Sequence, residues 1–186
     1  METVILKSKI CLVGGLAVGK TSLVRRFVLN VFDERYQTTL GTKVTKKSID
    51  LPFPERDVLA TVDMTIWDIM GQQGFQELLK EAYFYGARGI LAVADLTRRA
   101  SLVDLADWVE AVRAVAGSIP VLVAVNKSDL ASEAQLGQPE ISETGARYGS
   151  DCLMTSAKTG ENVEEAFLRL GRLAAARQLA HGVDDE

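Results

Sequence analysis

Residues 10–21 read Ile-Cys-Leu-Val-Gly-Gly-Leu-Ala-Val-Gly-Lys-Thr, and the rest of the chain is best read outward from them. The apolar run at 10–13 predicts a buried strand, and the spacing of Leu23, Val24, Phe27 and Val28 predicts a helix behind it. Between the two, Gly14, Gly15, Leu16, Ala17, Val18, Gly19, Lys20 and Thr21 fit the pattern G-x-x-x-x-G-K-[ST]. Glycines let the backbone wrap a phosphate with its N–H groups, and the helix N-terminus adds partial positive charge. Lys20 is then the candidate contact to the β- and γ-phosphates, and the Thr21 hydroxyl the candidate Mg²⁺ ligand, with Ser22 following in the same cradle. The loop implies a nucleotide without naming its base.

The base is specified further along. Asn126-Lys127-Ser128-Asp129 follows a second buried-strand run at residues 119–125. A carboxylate at Asp129 can accept from the N1–H and the N2 amino group of guanine together, a pairing that adenine does not offer. Asn126 is expected to brace neighbouring loops, and the Lys127 stem to cover one face of the ring. Thr155-Ser156-Ala157-Lys158 comes after the short run Cys152-Leu153-Met154. There the Ala157 N–H is the candidate partner of the guanine oxygen. N-K-x-D alone is weak, but three signals in this order point to GTP and GDP.

With these motifs the chain resembles the Ras superfamily of small GTPases, most closely its Rab-like branch, over nearly all of residues 5–180. The resemblance implies a switch that binds GTP or GDP with Mg²⁺, hydrolyses GTP slowly, and engages effector, exchange-factor and activating proteins. Tyr36-Gln37-Thr38-Thr39-Leu40-Gly41 looks like switch I, where Thr39 would bind Mg²⁺ and Tyr36 close over the phosphates. Asp68-Ile69-Met70-Gly71-Gln72 looks like switch II. Here Asp68 would hold Mg²⁺ through water, the Gly71 N–H would meet the γ-phosphate, and Gln72 would orient the attacking water. Phe32 falls where the family places an aromatic edge on guanine. Three departures stand out: bulky Leu16 beside the γ-phosphate, Ile69-Met70 where Thr-Ala is usual, and a long hairpin turn at 52–58. Leu16 keeps open a second class, a GTP-binding module with little turnover.

Composition agrees. A chain of 186 residues is one domain by size, and 47% hydrophobic with 25% charged residues suits a globular protein. The domain is expected over residues 1–180, with a short acidic tail at 181–186. A net charge of −4 argues against a nucleic-acid or anionic-membrane surface. Cys11 and Cys152 both fall in apolar runs and are expected as buried free thiols of a cytoplasmic protein. No cysteine follows Cys152 and Glu2 follows Met1, so neither prenylation nor myristoylation is expected, and no direct lipid anchor. A monomer is expected.

Strands alternating with helical patterns predict a doubly wound α/β domain with a mostly parallel six-stranded sheet and its ligand at the carboxyl ends of the strands. Strands are predicted at 4–13, 42–51, 59–69 and 89–95. The polar second strand, with Lys43, Lys46 and Lys47, suits a sheet edge. Ser101 is predicted to cap a helix carrying Leu102, Leu105, Val109 and Val112, and a short helix is predicted at 142–148. The last helix is predicted to bury Val163, Ala166, Phe167, Leu170, Leu173 and Ala174. Trp67 and Trp108 are read as packing residues, Arg98-Arg99 as a pair in a solvated loop, and His181 as a solvated tail residue.

Overall fold

Alternate residues of the first strand point into two different cores, and that single fact organises the molecule. The computed structural model describes residues 2–35, 39–71 and 75–181, with only the backbone of 75–79. In β1 (Glu2–Val13), Ile10 and Leu12 join one apolar cluster while Cys11 and Val13 join the other. The same alternation recurs in β4 (Ala87–Asp95) and β5 (Val121–Asn126). Strands buried on both faces must be apolar throughout, which is why they read as unbroken hydrophobic runs.

The remaining elements are α1 (Lys20–Leu29), β2 (Thr42–Phe53), β3 (Val58–Ile69), α2 (Phe75–Phe84), α3 (Arg99–Val103) and α4 (Leu105–Ala116), then α5 (Gln138–Tyr148), β6 (Cys152–Met154) and α6 (Val163–His181). The sheet order is β2-β3-β1-β4-β5-β6, antiparallel only between β2 and β3. This is the expected six-stranded doubly wound sheet, with lysine-rich β2 at its edge. On one face Phe27 of α1 stacks on Phe167 of α6 at 4.2 Å between centroids. Burying a side chain such as Phe167 stabilises the fold by about 2–3 kcal/mol. On the other face Trp108 is fully buried, as predicted, while Trp67 is only partly so.

Several local expectations are corrected. Strand pairing continues through Pro52↔Leu59 and Phe53↔Val58, so the hairpin turn is only residues 54–57. Proline is tolerated in β2 because an edge strand has an unpaired side. Ser101 does not cap a helix. It lies within α3, buried, where its Oγ accepts from the Asp95 N–H at 2.8 Å and donates to the Arg98 carbonyl. The predicted 142–148 helix begins at Gln138, where the Gly137 N–H donates to Glu140 at 2.8 Å. Leu173 is exposed, and the smaller Gly171 and Ala175 fill that face of α6 instead. A Cβ on Gly171 would sit 2.9 Å from the Ile49 Cδ1 methyl, so a larger residue there would require the Ile49 side chain to shift. His181 closes α6 and is not part of a tail. Cys11 is buried, whereas Cys152 is only half-buried; both are free thiols.

Candidate nucleotide site

The carboxyl ends of β1, β3, β4 and β5 open onto a cleft of about 510 Å³, within the range of small-molecule sites. Of the residues singled out from sequence, the cleft is lined by Leu16, Ala17, Gly19, Lys20, Thr21, Ser22, Phe32, Thr39, Gly71, Asn126, Lys127, Asp129, Ala157 and Lys158. Gly14, Gly15, Val18, Asp68 and Ser156 stand behind that lining. Tyr36 and Gln72 lie outside the described residues.

Two glycines are dictated by close approach. A Cβ on Gly19, at φ +103°, would fall 2.2 Å from the Asn126 amide nitrogen. A Cβ on Gly71 would fall 2.5 Å from the Gly15 carbonyl, so the Asp68–Gly71 segment packs directly on the phosphate loop. Ile69 and Met70 beside it are both buried.

Lys20 is buried, and its Nζ donates to the Gly14 and Gly15 carbonyls at 2.8 Å each. Burial pushes its pKa down to about 8; the nearby Arg98 charge lowers it further and Asp68 opposes. Thr21 Oγ1 lies 2.8 Å from Thr39 Oγ1 and donates a short hydrogen bond to Asp68 Oδ2. Asp68 Oδ1 is buried with no hydrogen-bond partner among the described residues, and desolvation raises the pKa of this carboxyl against the pull of Thr21, Lys20 and Lys43. Three oxygens thus converge beside an orphaned carboxylate oxygen. A hard, oxygen-preferring cation such as Mg²⁺ fits that donor set.

At the other end, Asn126 acts as the predicted brace. Its Nδ2 donates to the Val18 carbonyl at 3.0 Å, and its Oδ1 accepts from Thr155 Oγ1 at 3.3 Å and the Ala157 N–H at 3.2 Å. Asp129 Oδ1 accepts from Ser156 Oγ at 2.6 Å, which orients the carboxylate. Glu34 pairs with Lys158 at 3.1 Å, across the cleft mouth.

Sequence reading missed three supporting residues. Arg26 of α1 donates to the Ala157 carbonyl at 2.8 Å and the Lys158 carbonyl at 2.6 Å, holding the 155–158 loop in place. Asp95, at the end of β4, is 1% exposed and takes Lys127 Nζ at 2.6 Å and Arg98 Nε at 3.2 Å. Arg98, read as half of a solvated pair, donates its other arm to the Leu16 carbonyl at 2.5 Å, while Arg99 pairs with Glu140. A buried-strand run ending in a carboxylate at a ligand-bearing edge was the available signal for Asp95.

The Ras family profile matches residues 9–176. The chain is 35% identical over 162 residues to the GTP-binding protein ypt4 of Schizosaccharomyces pombe, covering 86% of this chain and 68% of that one. It is 32% identical over 175 residues to the Ras-related protein Rab-19 of Xenopus laevis, covering 93% and 79%. Ras-related protein Rab-8B of Pongo abelii is 32% identical over 165 residues, covering 88% and 76%. On the strength of that coverage, this chain belongs to the Ras family and is a Rab-like GTPase.

Proposed function

We propose that the cleft binds GTP and GDP with Mg²⁺, and that hydrolysis of GTP switches the chain between two states read by effector proteins. The observation that carries this reading is the meeting, in one cleft, of Lys20, the Thr21–Thr39–Asp68 oxygens and the Asp129–Ser156 pair. Asp129 takes the two guanine donors, and the Lys127 stem and Phe32 border the ring. The N–H groups of residues 15–21 and the Lys20 ammonium hold the phosphates. Thr21, Thr39 and Asp68 would hold the metal. When bound, Mg²⁺ neutralises charge on the phosphate oxygens.

Hydrolysis is in-line attack of water on the γ-phosphorus, with cleavage of its bond to the β–γ bridging oxygen. Gln72 places that water and the Gly71 N–H steadies the γ-phosphate. Unaided turnover is slow because no arginine of this chain is assigned to the transition-state charge. The domain extends over residues 1–180 as a monomer, and its exchange-factor, activating and effector partners read switch I and switch II. Among the described residues no helix is long and apolar enough to cross a membrane.

Single-turnover hydrolysis of bound GTP tests this reading. Gln72→Leu should slow the step by roughly one to two orders of magnitude with GTP affinity nearly unchanged. Equal rates in variant and parent would remove Gln72 from the mechanism. A second reading, GTP binding with little turnover, is favoured by Leu16, whose side chain lines the cleft. A parent that binds GTP tightly but never releases phosphate would select it.

A further inference from the structure

Ala17 adopts φ +57°, a left-handed conformation that an alanine takes at a cost, in the middle of the phosphate loop. Something must hold it there. The peptide joining Leu16 to Ala17 is trans, so its carbonyl and its N–H point in opposite directions. Arg98 grips that carbonyl with Nη2 at 2.5 Å, approaching from the junction of β4 and α3. The Ala17 N–H is thereby directed away from that junction, and Ala17 itself lines the cleft.

Arg98 is in turn anchored. Its Nε sits 3.2 Å from Asp95 Oδ2, and the opposite oxygen, Oδ1, is fixed by the Thr97 N–H at 2.9 Å and the Thr97 hydroxyl at 2.7 Å. A planar guanidinium can serve two acceptors at once with one fixed geometry, which an ammonium cannot. The same Asp95 Oδ2 holds Lys127 at 2.6 Å, and Lys127 too is left-handed, at φ +67°.

We infer that Arg98 is a positioning residue that locks the Leu16–Ala17 peptide plane of the phosphate loop, keeping the Ala17 N–H available to the bound phosphates. Without the lock, Ala17 relaxes toward negative φ. That rotation turns an acceptor carbonyl toward the phosphates in place of a donor N–H. Nucleotide is then held less tightly, although Arg98 need not touch it. This inference rests on the proposed nucleotide site.

Because the lock opposes the reluctance of an L-residue to take positive φ, its value depends on what stands at position 17. Glycine enters the left-handed region freely. The test is therefore a cycle of four proteins: the parent, Arg98→Ala, Ala17→Gly and the double variant. Each is loaded with a fluorescent N-methylanthraniloyl GDP in the presence of Mg²⁺ and chased with unlabelled GDP. Arg98→Ala should speed release roughly tenfold in the parent background, and about twofold or less in the Ala17→Gly background. Equal acceleration in both backgrounds would show that Arg98 acts by its charge alone, and no acceleration in the parent that it does nothing here; either result overturns the inference. Arg98→Gln, which keeps the volume of the stem, takes the same place in the cycle should the alanine variant fail to fold. A parent that does not retain labelled GDP would overturn the site reading and this inference together. A parent that retains it, beside an unresponsive Arg98 variant, overturns the inference alone.

Discussion

At the proposed base-reading end of the cleft the polar side chains are paired with one another, whereas at the proposed metal end one buried carboxylate oxygen has no partner among the described residues. Asn126 satisfies the Val18 carbonyl and the Ala157 N–H simultaneously, and Asp129 is oriented by Ser156. At the proposed metal end, Lys20 is an ammonium with two carbonyls and, among the described residues, no carboxylate in hydrogen-bond contact, its pKa pushed down to about 8 by burial. Asp68 keeps one buried oxygen without a partner, and burial raises its pKa. A satisfied polar network rigidifies its surroundings, whereas an orphaned buried carboxylate oxygen costs about 1–3 kcal/mol or more. A phosphate and a cation would relieve both defects at the metal end. On the proposed function, recognition of the base and response to the nucleotide state would fall to different ends of one cleft.

The largest effect should come from breaking the base-reading end. Asp129→Asn removes the acceptor pair for guanine, so GTP affinity should fall by about 10⁴-fold, with preference moving toward xanthine nucleotides. Ser156 can still donate to the amide oxygen of the new residue, so the melting temperature of the ligand-free protein should hold. Titration with GTP, XTP and ATP beside a thermal melt checks both halves. Retained GTP affinity would remove Asp129 from the base site, and a collapsed melt would show that it is a structural residue.

Next comes the metal end. Chelating Mg²⁺ should speed release of bound GDP by roughly a hundredfold, the loss of a few kcal/mol of charge neutralisation at the phosphates. Stopped-flow release in excess EDTA measures this. If base-end contacts alone retained the nucleotide, the rate would not respond, and the contrast between the two ends would be lost.

The fold was legible because β1, β4 and β5 are buried on both faces, which forces runs of apolar residues, and because β2 is an edge, which permits lysines. The meeting of Asp129 with Ser156, and of Asn126 with the 155–158 loop, was legible because these residues carry short polar side chains at strand ends. Arg98 was not. Read as solvated, its guanidinium reaches a carbonyl 82 positions away, a contact set by the β1–β4 register and not by local pattern. Ser101 failed for a related reason: a hydroxyl near a helix start suggested a cap, yet the chain turned helical two residues earlier and the hydroxyl served Asp95. Leu173 shows the limit of periodicity, since the apolar arc it extended was already filled by Gly171 and Ala175 beneath β2 and β3.

Asp95 joins the two ends, and acid should separate them. Burial alone would raise its pKa, but hydrogen bonds from Lys127 and Thr97 outweigh that and hold it below the ordinary 3.8. A depressed carboxylate contributes stability above its unfolded pKa and loses it as pH falls through the folded value. Asp95→Asn should therefore be less stable than the parent at neutral pH, and the gap should close as the pH is taken below 3.8. Urea unfolding of both proteins from pH 7 to pH 3 reads the gap. A difference independent of pH would mean that packing, and not the ionised carboxylate, is what Asp95 contributes.

The smallest expected effect lies at Leu16, where the metal end meets bulk. The residue is 42% exposed and lines the cleft, beside the position proposed for the γ-phosphate. Clearing that volume with Leu16→Gly should raise the intrinsic rate of GTP hydrolysis about threefold, a change of less than 1 kcal/mol in barrier height. The substitution leaves the residue-16 carbonyl in place, so Arg98 can still hold the peptide plane and Lys20 can still be steadied by the Gly14 and Gly15 carbonyls. Against this, glycine widens the conformational range of the loop. The two effects separate experimentally: released bulk raises single-turnover hydrolysis at constant GDP release, whereas a loosened loop speeds GDP release. An unchanged or lower hydrolysis rate with GDP release unaltered would show that Leu16 does not obstruct the attacking water.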